Sequence, residues 1–99
     1  MPVDSERASQ EVSANAMMEE ARQAEIDGKT AKAKGLYQTI VKKYPFTQIA
    51  ADASYQYALI VRHTGKMDDA FNALQNFIQA FRDSPHFAEA IEKQFEIAA

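Results

Sequence analysis

The sequence predicts an all-α protein: a right-handed stack of antiparallel helix hairpins. Three observations carry that prediction. Apolar residues recur at helical spacing along nearly the whole chain, and no period-2 alternation survives. Gly28, Pro45, Gly65 and Pro85 fall between the periodic segments and punctuate them. The chain also matches itself when slid by about 37 residues, the signature of a repeat.

Each element follows in order. Ser5 is placed to cap a first helix, 5–27, whose polar early turns give way to Met17, Ala21 and Ala24. Gly28 stops it by supplying a positive φ. A second helix, 30–44, aligns Ala33, Leu36, Tyr37, Ile40, Val41 and Tyr44 on one face, and Pro45 ends it. The third, 47–63, presents Ala50, Ser54, Tyr57, Ala58 and Val61 and ends at Gly65. The fourth, 67–81, presents Ala70, Leu74, Phe77, Ile78 and Phe81. Asp68 and Asp69 stand in its first turn, where negative charge suits the helix dipole. Ser84-Pro85 opens a fifth, 86–99, with Ala90, Phe95, Ile97 and Ala98.

The self-match is specific. At a shift of 37, Ala21, Gly28, Lys29, Ala33 and Gln38 meet Ala58, Gly65, Lys66, Ala70 and Gln75. At a shift of 40, Pro45, Ala50, Tyr55 and Ala58 meet Pro85, Ala90, Phe95 and Ala98, which makes Arg82-Asp83-Ser84 the insertion. The helix hairpin is thus present about two and a half times in one domain, 1–99.

Small residues at fixed positions, Gly near a hairpin turn and a closing Pro make this unit resemble the tetratricopeptide repeat. The matching residues are Ala21, Gly28, Ala33, Tyr37 and Pro45, then Ala58, Gly65, Ala70, Leu74 and, displaced, Pro85. The resemblance departs where the family often has a large aromatic, because Met17 and Ser54 stand there. A narrower resemblance rests on IVKKYPFTQIAADASYQYAL and FIQAFRDSPHFAEAIEKQFEIAA. These look like tetratricopeptide proteins of the bacterial envelope, the BamD-like outer-membrane assembly lipoproteins and the Tol-Pal-associated periplasmic proteins. That likeness implies a periplasmic or outer-membrane site for a longer parent chain, and a cytoplasmic one if the chain is whole. Because Ala99 falls within the first helix of a third hairpin, the reading is of an N-terminal piece of a longer array.

Composition excludes several function classes. A net charge of -3 and a pI near 5.3 speak against general nucleic-acid binding. No apolar run approaches the roughly 18 residues of a membrane span, and no cysteine is present for thiolate metal sites. GKT at Gly28-Lys29-Thr30 evokes a phosphate-binding loop. The required earlier glycine falls at Gln23, inside a helix, and the second copy reads Gly65-Lys66-Met67. The stretch is therefore read as a hairpin turn. His63 and His86 are read as ordinary surface histidines. No acid–base pair or nucleophile constellation can be assembled, so no enzyme, cofactor or metal is expected.

The resemblance implies a binding face lined by the first helix of each hairpin. By register this stripe is Asn15, Met18, Arg22, Glu25, Asp52, Tyr55, Leu59, Arg62, Glu92 and Phe95. Its expected occupant is a protein or peptide, with Arg22 and Arg62 reading acidic groups. The positions that match a cochaperone carboxylate clamp are Met18, Arg22, Gln56, Glu92 and Glu96, and two glutamates would repel a carboxylate. Tyr37, Tyr44, Tyr57, Phe77 and Phe81 are read as core. The rival function is self-association, a homodimer joined through exposed faces of the terminal helices.

Overall fold

The computed structural model describes residues 4–98, with the side chains of 6–97. Five helices follow one another: α1 Asp4–Ile26, α2 Thr30–Lys43, α3 Gln48–Thr64, α4 Met67–Ala80 and α5 Phe87–Ala98. They form a slab of 44 × 31 × 17 Å. The short dimension is that of two packed helix layers, with axes about 8–10 Å apart. Neighbouring helices pack in chain order, and α1 also touches α3, so the first helices of successive hairpins share a layer.

Alanine makes this close approach possible. Among the described residues, ten of the eighteen buried apolar ones are alanine, including Ala21, Ala33, Ala58 and Ala70 of the repeat pattern. The larger core residues concentrate in two clusters. Met18, Tyr37 and Ile40 fill the first, between α1, α2 and α3. Tyr55, Leu74 and Phe77 fill the second, between α3, α4 and α5. Helix α3 serves both, giving Ala53 and Ile60 to one and Tyr55 and Ala58 to the other. Of the expected aromatic core, Tyr37 and Phe77 are fully buried, whereas Tyr44, Tyr57 and Phe81 are half-buried at its edge.

The two hairpin-turn glycines are equivalent in sequence but not in physics. Gly28 has φ +77° with open space around it, so backbone conformation alone selects glycine. Its neighbour Lys29 donates back to the Ala24 carbonyl (2.8 Å), which closes α1. Gly65 is extended (φ -111°), and a Cβ there would stand 2.7 Å from the Val61 carbonyl oxygen. Close approach selects that glycine. Thr30 of the GKT stretch is simply the first residue of α2.

The turns between hairpins correct the sequence alignment. Tyr44 (φ -126°, ψ 50°) and Phe81 (φ -130°, ψ 58°) end α2 and α4 in the same conformation. Thr47 N–H then donates to the Tyr44 carbonyl, and Ser84 N–H to the Phe81 carbonyl, both at 3.1 Å. Thr47 and Ser84 are thus the matching pair, 37 positions apart, and Arg82 occupies the place of Pro45. Helix α3 starts one residue after Thr47, but α5 starts three after Ser84. The insertion therefore falls after Ser84, around Pro85-His86, and not at Arg82-Asp83-Ser84, while the buried Ala50 and Ala90 keep the shift of 40 in the helices that follow. Asp4 is already helical, so Ser5 lies within the first helix and does not flank it. The side chain of Ser5, and Ala99, fall outside the described residues.

Candidate functional site: the α1–α3–α5 face

Helix α3 is placed by a built N-terminus. The Thr47 hydroxyl accepts from Ala50 N–H (3.1 Å) and donates to the Tyr44 carbonyl (2.7 Å). Glu11 of α1 accepts from Gln48 N–H (3.0 Å), which adds negative charge at the positive end of α3 and ties the two helices together.

The ten residues of the expected stripe divide by environment. Met18 and Tyr55 are each only 2 % exposed, so they are core, not surface anchors. Their helices turn those positions into the interface with the next layer, and bulk there is needed to fill it. Asn15, Arg22, Glu25, Glu92 and Phe95 are exposed, and Asp52, Leu59 and Arg62 are half-buried. Phe95 stands 74 % exposed, although it was aligned with the buried Tyr55. Tyr55 is covered by Phe77 and His86 from elements that follow it, whereas no described element follows α5.

The two arginines are not free. Arg22 pairs with Glu19 (3.2 Å) on its own helix, and Arg62 pairs with Glu96 (3.1 Å) of α5. Each pair is exposed, so it adds little to stability. It does, however, neutralise the cation that was expected to read a partner's carboxylate. With Glu25, Asp52 and Glu92 nearby on the same helices, carboxylates outnumber cations along this face.

Two buried phenols face glutamates. Tyr37 of α2 donates to the Glu25 carboxylate, and burial, reinforced by that charged acceptor, raises its pKa well above the ordinary value of 10. Tyr55 is raised likewise, first by burial and then by Glu89. Its hydroxyl is buried with no hydrogen-bond partner among the described residues. Glu25 also borders a cleft of about 280 Å³ with Gln56, Leu59, Ile60 and His63. Glu25 and Leu59 of the stripe are therefore brought to one place.

His86 departs from the expectation of an ordinary surface residue. Its ring stacks on Tyr55 with centroids 4.5 Å apart and planes 9° from parallel. Its Nε2 lies 3.3 Å from an Asp52 carboxylate oxygen. Asp52, Tyr55 and His86 form one cluster that fastens the start of α5 to α3. The cue in the sequence was the longer second inter-hairpin segment, because the inserted residues deliver His86 to that position.

The repeat boundaries also emerge from comparison with known proteins. A family model described as tetratricopeptide repeat matches residues 13–47 and 52–84. These two matches end at Thr47 and Ser84, the residues that the turn geometry makes equivalent. Neither curated proteins nor solved structures give a match. The family model spans more than half of the 99 residues, and the chain belongs to the tetratricopeptide repeat family.

Proposed function

We propose that this chain is a non-catalytic scaffold that holds a segment of a partner protein against its α1–α3–α5 face. Family membership carries the coarse reading, because tetratricopeptide repeats generally mediate protein–protein interaction. The face itself supports the chemistry of the partner. Asn15, Arg22, Leu59, Arg62, Glu92 and Phe95 remain accessible, and Arg22 and Arg62 are already paired with Glu19 and Glu96. The best fit is a segment with an apolar anchor for Phe95 and Leu59 and basic groups for the surplus carboxylates. A role in bacterial outer-membrane or cell-envelope assembly draws support from the Tyr44-Pro45 ending and from repeats 37 residues apart.

The test is affinity capture with wild type and with Phe95→Ala/Glu92→Lys, both at exposed positions outside the core. The expected result is loss of a discrete partner in the variant. An identical set of captured proteins would remove this face as the binding surface. Capture from fractionated bacterial envelopes bears on the compartment, with enrichment of envelope proteins the expected outcome.

A second reading has its own observation. Ile91 and Phe95 expose apolar surface together on α5, and self-association would cover it. Light scattering decides: a mass of about 11 kDa, that of one chain, at all concentrations rejects this reading.

A further inference from the structure

A cleft of about 500 Å³ opens on the side of the molecule away from α1 and α5, between α2 and α4. Gly35, Gln38, Thr39, Val41 and Lys42 form one wall, Ala73 and Asn76 the other, and Ser54 and Tyr57 of α3 the floor. Three features set it apart from an accidental gap in packing.

Charge is the first. Helix α2 carries Lys32, Lys34, Lys42 and Lys43 and no acidic residue, in a chain whose net charge is -3. Lys32 has a carboxylate partner, Glu20 at 4.0 Å. Neither Lys34 nor Lys42 has one among the described side chains, and no acidic residue lines the cleft. Lys42 belongs to the cleft wall; the Lys34 ammonium does not line the cleft but lies 5.9 Å from the centre of the Tyr57 ring on its floor. The two lysines are eight residues apart, about 12 Å along the helix axis.

The second feature is Gly35. A glycine inside a helix weakens it relative to alanine, and here a Cβ would meet nothing within 4 Å. No packing need in the chain itself explains the residue. Its effect is to leave the wall of the cleft bare, so that another backbone can come close. The third feature is the lining, which places the amides of Gln38 and Asn76 and the hydroxyls of Thr39 and Ser54 beside the apolar Val41, Tyr57 and Ala73. That mixture is typical of a recognition site.

We infer that the α2–α4 cleft is a second binding site, which takes an acidic segment of a partner protein. The segment's carboxylates meet Lys34 and Lys42, and an apolar side chain between them enters over Tyr57. Carboxylates spaced along a chain fit two separated cations, whereas nucleic acid or an anionic membrane needs a larger cluster of lysines on a chain that is not itself acidic. The cleft is too open to enclose a small ligand on most of its surface. This site is independent of the α1–α3–α5 face, so either can stand without the other.

The probe is a fluorescein-labelled peptide of alternating Glu and Leu, about ten residues long, enough to span both lysines when extended. Its Lys/Leu counterpart is the control. Fluorescence anisotropy should show saturable binding of the acidic peptide only. Lys34→Glu/Lys42→Glu should weaken it at least about tenfold, the expected scale for losing two charge-assisted contacts. Lys29→Glu/Lys43→Glu makes the same change in net charge at lysines that neither line the cleft nor lie over the Tyr57 ring, and should weaken it far less. In amide NMR spectra the shifts on titration should centre on Gly35, Gln38, Ser54 and Asn76. Equal losses in the two double variants would reduce the effect to bulk charge and overturn the inference, as would shifts centred on α5. Self-association that disappears in Lys34→Glu/Lys42→Glu would make a second copy the occupant and overturn the acidic partner.

Discussion

Gly28, Gly35 and Gly65 show how one residue type answers three different local demands. At Gly28 the demand is a positive φ, at Gly65 it is space beside the Val61 carbonyl, and at Gly35 the chain itself makes none. Substitutions should therefore diverge. Gly35→Ala should stabilise by about 0.5–1 kcal/mol, read as a rise in Tm of several degrees. Gly65→Ala should destabilise, and by more than Gly28→Asn, because asparagine tolerates the left-handed region while a Cβ at 65 collides with backbone. A melt of all three variants checks the order. The buried phenols add a pH prediction. Folding raises the Tyr37 and Tyr55 pKa above 10, so the protonated form is bound more tightly in the folded state. That contribution is complete below pH 10 and is lost as pH rises through the folded values. Tm should fall in alkali together with the appearance of tyrosinate absorbance. Tyr37→Phe should soften the fall.

Among the elements, α5 is held differently from the rest. Helices α1 to α4 share two apolar clusters, whereas α5 gives the second cluster Ala90 and the flanking Ile97. Its attachment leans on the His86–Tyr55 stack, the Asp52–His86 contact and Gln94, whose side-chain amide donates to the Gln75 side-chain oxygen (2.6 Å). His86→Ala should raise amide exchange in α5 selectively, while α1 and α2 keep their protection. Uniform loss of protection would mean that α5 and the first hairpin open as one unit. Within α4, Phe77 is fully buried and Phe81 only partly. Phe77→Ala should cost about 3–5 kcal/mol, and Phe81→Ala clearly less, as chemical denaturation would show.

At the scale of the molecule, charge is sorted between the two helices of the first hairpin. Helix α1 holds Asp4, Glu6, Glu11, Glu19, Glu20 and Glu25 against Arg7 and Arg22, while α2 is wholly basic. The two binding surfaces proposed here inherit opposite preferences from that sorting. Raising ionic strength should weaken an acidic probe at the α2–α4 cleft and a basic partner at the α1–α3–α5 face alike, since each is steered by charge. Binding that is insensitive to salt at either surface would count against the assigned partner chemistry. The sorting is readable in the sequence once the helices are drawn, yet nothing in a one-dimensional pattern says which basic residues lie over a cleft and which already have partners.

The sequence by itself determined the helices, the hairpin order and the family, because these follow from local periodicity, turn residues and spacing. Helix ends are set by neighbours within a few residues, so they are legible without a partner in space. Only the tertiary structure decided that Met18 and Tyr55 are buried, that Glu96 neutralises Arg62, and that the insertion falls after Ser84. It also decided that Ser54 and Gly35 border the same cleft. The reason is physical. A side chain's exposure and its ion partner depend on residues about 19 to 37 positions away, as Gln94–Gln75, Arg62–Glu96 and Gln48–Glu11 do here, and that proximity exists only after the hairpins stack.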